Sequence, residues 1–352
     1  MTVGISMLTS EEYMLMAEKR TPLWDNLKFI LIVLVVIGHF INIRDSVTYH
    51  SIFIFIYSFH MPLFIFLAGL FHKNRGVWKK AVAFLAIYVL YELAIFGTKK
   101  AFGVKKVKLD LFSESAAPWF MLALCVYVIL GYFLYDFMKK KTVKWIILSA
   151  FVVLSCIAGY IEKIGSFLSL AKIINFFPFF LLGMIMDRGK LEKMASDKRL
   201  KPWGAAVLLL WIFLSFAIME KVYLFRPFFV AKESYPEYAG NLGFLWKTAA
   251  YAISCITGWA LIMVTPGKEI NPITLWGSRT IQVYFWHKII LYVFKYTDLD
   301  KWFYQDGPHK LLWMGVAVAV ACVLSLWIFR YPTELIMGFT RSKEYKGTTG
   351  KK

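Results

Sequence analysis

The stretch LKFILIVLVVIGHFINI, residues 27–43, decides the fold class. It is apolar throughout its length apart from Lys28 at its start, His39 in its interior and Asn42 near its end. An apolar run of about 18 residues is long enough to cross a bilayer as a helix. Nine similar runs follow, at residues 51–71, 77–96, 118–138, 144–160, 171–186, 203–219, 246–264, 274–294 and 311–329. The chain has 352 residues and is 59% hydrophobic, well above the roughly 45–50% of soluble domains. The expectation is an all-α integral membrane protein, a bundle of about ten transmembrane helices. The proline of the sixth run, Pro178, is compatible with a span if neighbouring groups take up the carbonyl it frees.

The net charge of +19 suggests nucleic acid in a soluble protein; here topology accounts for it, and no nucleic-acid partner is expected. Placing the N-terminus inside puts HKNRGVWKK, KKKTVK, DRGKLEKMASDKRLK and RSKEYKGTTGKK on the cytoplasmic side, which then holds most of the Lys and Arg, as the positive-inside rule requires. An even number of spans returns the C-terminus to that side. The loop GTKKAFGVKKVK, residues 97–108, runs against the rule; it reads as a solvated loop or as a patch for an anionic envelope polymer. The domain reading is a cytoplasmic N-terminal arm (1–24), a polytopic membrane domain (25–332) and a basic cytoplasmic tail (333–352). The opening residues show no cleavable signal pattern. Residues 97–117 and 220–245 read as loops. The four cysteines all lie in apolar runs without CxxC spacing and read as buried small hydrophobes, so no metal site is expected.

Three of the six histidines, His39, His60 and His287, fall inside apolar runs. An ionisable group at mid-bilayer costs about 2.5–3.5 kcal/mol on insertion scales for the charged types, and marks a functional site by default. At 1.5 Å per residue, His39 stands roughly 16 Å above Lys28, and His60 lies roughly 13 Å below Ser51. Both belong near mid-depth. His287 and Glu92 belong higher, toward the outer half. Together they suggest a polar cavity inside the bundle. Any one of these histidines is equally compatible with a hydrogen bond to a neighbouring carbonyl across a helix contact.

The segment WDNLKFILIVLVVIGHF resembles the opening of membrane acyltransferase family 3, with Lys28 where that family carries an arginine, then ten residues, then the family's histidine at His39. FHMPLFIFLAGLF, PWFMLALCVYVI, FFPFFLLGMIM and GSRTIQVYFWH resemble further family segments in the same order, with Thr280, Tyr284 and His287 in register. The wording WDNLKFI is most similar to the fucose 4-O-acetylase-like subgroup. Two departures matter. Lys28 keeps a cation but loses the bidentate fork of arginine, and Ala68 stands where the family has serine, which removes hydroxyl chemistry there. The soluble hydrolase-like domain of some relatives has no counterpart in this sequence, so the membrane domain is expected to complete the transfer alone.

The resemblance implies O-acyl transfer, usually acetyl, from cytoplasmic acyl-CoA to a hydroxyl of a sugar or glycan beyond the membrane, in a bacterial plasma membrane. A sugar hydroxyl needs a base within hydrogen-bond reach. A desolvated imidazole favours its neutral form, and His39 is expected to take this role. Direct transfer fits better than a serine acyl-enzyme, since G-x-S-x-G is absent; an acyl-histidine remains open. The thioester oxygen needs a donor as charge develops, with Tyr284, Trp119 and a protonated His60 as candidates. Tyr284 and His287, at i and i+3, share one helix face. Trp119 reads equally as an interfacial anchor. Lys28 is the expected phosphate contact for CoA, with Arg75, Lys79 and Lys80 as helpers or plain positive-inside residues. Asp25 is expected to orient Lys28 or to cap the first helix, and Glu92, Trp119 and Asp25 are candidate substrate contacts. The rival readings are a transporter or flippase for a glycan or lipid intermediate, and a sensor without chemistry. The acceptor's identity, the acyl length and the oligomeric state are not legible.

Overall fold

A computed structural model describes residues 21–41, 46–112, 117–164, 167–232, 234–304 and 308–340. Most of the expected N-terminal arm and of the basic tail lies outside the described residues, as does the cytoplasmic placement of the termini. The helices are α1 (Pro22–Phe40), α2 (Val47–Tyr57), α3 (His60–Leu70), α4 (Val77–Ala101), α5 (Trp119–Met138), α6 (Val143–Ala158), α7 (Leu170–Ile185) and α8 (Arg188–Ser196). They continue with α9 (Leu200–Ala217), α10 (Met219–Tyr223), α11 (Arg226–Val230), α12 (Gly243–Val264), α13 (Ile273–Gly277), α14 (Thr280–Tyr296), α15 (Pro308–Leu324) and α16 (Thr333–Gly338). Every expected apolar run is helical over most of its length. Six helical stretches are long and apolar enough to cross a membrane: α1, the α2–α3 run, α4, α5, α9 and the run 237–264 ending in α12. The pair α7 and α8, bent by 84°, makes a seventh if counted as one span, while α6 and α15 are shorter apolar helices. The protein is an all-helical integral membrane protein.

Three of the expected runs are not single rods. The second breaks at Ser58–Phe59, where Phe59 leaves helical geometry (φ −137°, ψ −22°). The ninth starts later than expected, because Ile273–Gly277 forms a turn of its own before α14 begins at Thr280. The tenth ends at Leu324 and gives way to a 3-10 turn at Trp327–Phe329. The segment expected to be a plain loop at 220–245 carries α10 and α11.

The prolines explain part of this. Proline has no N–H, so it frees the carbonyl four residues back. For Pro178, inside α7, that carbonyl belongs to Ile174, and the buried Ser155 hydroxyl of α6 lies 2.8 Å from it. At the break before α3, the carbonyl of Ser58 accepts from the Ser254 hydroxyl of α12 at 2.5 Å, and the Ser58 hydroxyl accepts from the Trp211 indole of α9 at 2.9 Å. Lipid offers no substitute donors, so neighbouring helices supply them. Helices α3 and α7 cross where both carry glycine: a Cβ at Gly69 would collide with the carbonyl of Phe180, and one at Gly183 with that of Phe66. Small residues permit such backbone approach in membrane bundles.

Each end of the bundle is tied separately. At one end Trp24 donates to Glu192 at 2.6 Å, Arg188 donates to Glu192 and to Thr21, both at 2.7 Å, and the Asn26 amide donates to the carbonyls of Pro266 and Lys268. At the other, Trp313 donates to Phe40 O at 2.6 Å and Tyr49 to Lys310 O at 3.1 Å. These are called below the Trp24 end and the Trp313 end.

Candidate functional site

His39 lies in the last turn of α1, and its ring packs against that of His287 on α14, with centroids 5.1 Å apart and planes inclined at 35°. His60 opens α3, because the helix restarts there after the break. Its Nδ1 lies 2.8 Å from Ile56 O, and its ring meets that of Tyr57 edge-on at 4.7 Å. His287 is fully buried, with Nδ1 2.7 Å from Tyr284 O and 3.2 Å from Val283 O. A carbonyl only accepts, so in both rings Nδ1 carries the hydrogen and the neutral ring keeps a lone pair on Nε2. The His287 Nε2 is buried without a hydrogen-bond partner. Both rings thus bond a nearby carbonyl, His287 on its own helix and His60 across the break on α2, and His287 holds its second nitrogen available.

Two cavities meet beside these rings. One, of about 300 Å³, is lined by His39, His60, Tyr57, Trp119, Lys172 and Arg226 among others, near the lower end of the range for ligand sites. It lies toward the Trp313 end. The second, of about 250 Å³, takes in Lys28, Phe71, Thr280 and Ala68 toward the Trp24 end. Val35, Met61 and Tyr284 line both and so stand between them.

The expected residues distribute over this frame unevenly. His39, His60, Tyr284 and Trp119 share the first cavity. His287 does not line it but backs His39 and Tyr284, whose ring centroid is 5.8 Å away. Trp119 is no surface anchor: it is 6% exposed, stacks on Phe176 at 5.5 Å and carries the Lys172 ammonium 5.0 Å above its ring. The Tyr284 hydroxyl donates to Ala117 O. Lys28 lines the second cavity and pairs with the buried Asp25 at 2.5 Å, so Asp25 orients Lys28 from its place in the first turn of α1. Arg75, Lys79 and Lys80 lie near the start of α4, at the same end as Lys28, but line neither cavity. Glu92 is buried on α4 beside Tyr88, outside both.

Sequence reasoning passed over Tyr57, Lys172, Arg226 and Lys232, which line the first cavity. The signal is present: residues 222–232 read VYLFRPFFVAK, aromatic and basic within a segment whose polarity predicts a loop. The buried Lys247 of α12 fixes this segment by donating to Phe228 O at 2.9 Å.

Residues 23–330 match the acyltransferase domain of acyltransferase family 3. The chain belongs to that family. This acyltransferase is also 26% identical over 365 residues to the nodulation protein NolL of Sinorhizobium fredii, covering 92% of this chain and 94% of that protein. No solved structure matches it. The five segments whose resemblance suggested the family all fall inside the matched region, and with an enzyme established the transporter and sensor readings fall away.

Proposed function

We propose that this acyltransferase moves an acyl group, acetyl by default, from acyl-CoA entering by the Lys28 cavity to a hydroxyl of a sugar or envelope glycan entering by the His39 cavity, across a bacterial plasma membrane. The observation that carries the reading is the pair of cavities, one toward each end of the bundle, that share Val35, Met61 and Tyr284 as a wall. Such a wall lets a small acyl group pass between two bulky substrates that never share a chamber.

In the reaction the acceptor hydroxyl gives its proton to His39 as its oxygen attacks the thioester carbon. A tetrahedral oxyanion forms, collapses and expels the CoA thiolate. The thiolate takes the proton from the His39 imidazolium, leaving an ester and free CoA. General-base help of this kind is worth about 10²–10⁴-fold. His287, ring to ring with His39, holds the imidazole in place. Tyr284 stands at the wall, where the oxyanion develops, and serves as donor once the acyl group displaces its bond to Ala117. Lys28, held by Asp25, offers its charge to a CoA phosphate, and the lysine and arginine cluster near the start of α4 adds to the field at that end. The fucose-like subgroup resemblance supports a sugar acceptor and leaves the sugar open.

The test is release of free CoA from acetyl-CoA by purified protein in nanodiscs supplied with mixed sugar acceptors, wild type against His39→Ala. Release that depends on His39, with acetylated sugar found by mass, is the expected result. Equal turnover by folded His39→Ala removes His39 from the base role.

A further inference from the structure

We infer that the acceptor carries a negative charge, a carboxylate or phosphate, bound in the mouth of the His39 cavity by Arg226, Lys172 and Lys232. This rests on the acceptor entering by that cavity, as proposed above, and adds the substrate's chemical class.

The cations come from two places in the chain, the start of α7 and the segment around α11. Lys172 sits in the first turn of α7, Arg226 begins α11, and Lys232 follows α11. All three line the cavity that holds His39 and His60, and none of the described lining residues is acidic. Lys172 is buried and Arg226 partly so, while Lys232 is exposed; a cation withdrawn from water gains most from an anion brought to it. Arg226 makes the case sharpest. Its Nε is buried without a hydrogen-bond partner, and its guanidinium lies 5.8 Å from the Phe53 ring and 5.9 Å from that of Tyr223. Buried donors in folded proteins are nearly always satisfied, and a guanidinium presents a planar fork that matches a carboxylate or phosphate.

The surroundings hold Arg226 in place. Lys247 anchors the last turn of α11 through Phe228 O, and the Ala231 amide closes that turn on Pro227 O at 2.8 Å. In the same lining Trp119, stacked on Phe176, offers a flat aromatic wall with Lys172 above it. An aromatic face beside fixed cations, with an imidazole deeper in the cavity, suits a sugar acid or sugar phosphate whose free hydroxyl points inward.

The test needs no turnover. Binding of methyl β-glucuronoside, glucose 1-phosphate and methyl β-glucoside is measured by calorimetry on the intact protein in phosphatidylcholine nanodiscs. At least one of the two anions is expected to bind about tenfold or more tighter than the neutral glucoside. Arg226→Gln is expected to erase that preference with an unchanged melting temperature, and Arg226→Lys to restore part of it. Equal affinity for all three ligands in the wild type overturns the inference, as does a preference that Arg226→Gln leaves intact. Nanodiscs containing phosphatidylglycerol separate the sources: loss of anionic sugar binding there makes a lipid headgroup the occupant and overturns the assignment to the acceptor. Anion-selective binding without His39-dependent transfer leaves this inference standing and strikes the catalytic reading instead.

Discussion

Met61 is the most adjustable part of the wall between the two cavities, since Val35 is short and β-branched and Tyr284 is tied to Ala117 O. Met61→Ala removes three non-hydrogen atoms beyond Cβ, room for about two methylenes of a longer acyl chain. Each buried methylene contributes about 0.8 kcal/mol, so two give about 1.6 kcal/mol, or roughly 15-fold. The variant is therefore expected to raise the ratio of kcat/KM for butyryl-CoA over acetyl-CoA by roughly 15-fold, with part of the change coming from a poorer hold on acetyl. The assay is thiol release under subsaturating donor, with matched acceptor. Packing around the site can collapse and shrink the gain, so a rise of only a few fold remains consistent. An unchanged ratio in a folded, active variant refutes the idea that the acyl group crosses between Val35, Met61 and Tyr284.

Lys28→Ala is expected to raise the KM for acetyl-CoA more than it lowers kcat, while Lys28→Arg keeps a low KM; equal KM values in all three proteins end the phosphate role. Ser155→Ala leaves the Ile174 carbonyl without its hydroxyl partner beneath Pro178. The expected cost is about 0.6–1.7 kcal/mol in the membrane, smaller in a Pro178→Ala background where an N–H returns; identical costs in the two backgrounds, read by thermal melting, contradict the compensation. Gly183→Ala forces a methyl against the Phe66 carbonyl and is expected to lower stability by about 1–3 kcal/mol, the usual range for overpacking, with no loss for Gly267→Ala, where a Cβ meets nothing within 4 Å.

The helices were legible because lipid demands long apolar runs, and each run stands out against charged connections. His39, His60 and Tyr284 were legible as polar groups placed against that background; depth counting put His39 and His60 near one level because a helix rises uniformly, but it set His287 higher, whereas its ring packs against that of His39. The break at Ser58–Phe59 was hidden: its cause lies in partners from distant helices, Ser254 and Trp211, which no local pattern reveals. The α10–α11 segment was hidden for a related reason. Helix α11 is held by the buried Lys247, and a lysine at the edge of an apolar run looks like an ordinary interfacial charge. Arg226 therefore reached the site through a tertiary contact. Arg75, Lys79 and Lys80 failed to line either cavity because nearness along the chain to the Lys28 end does not fix the direction of a side chain.

Val35, Met61 and Tyr284 have a consequence for the cell as well as for the reaction. A bundle with a cavity toward each end is one failed contact away from being a pore, and a pore this polar would leak protons and ions. Two apolar side chains and one ring with its hydroxyl already engaged offer little to hold a file of water between the hollows. Such a lining suits a wall that has to keep the membrane's electrical insulation where the two cavities come nearest.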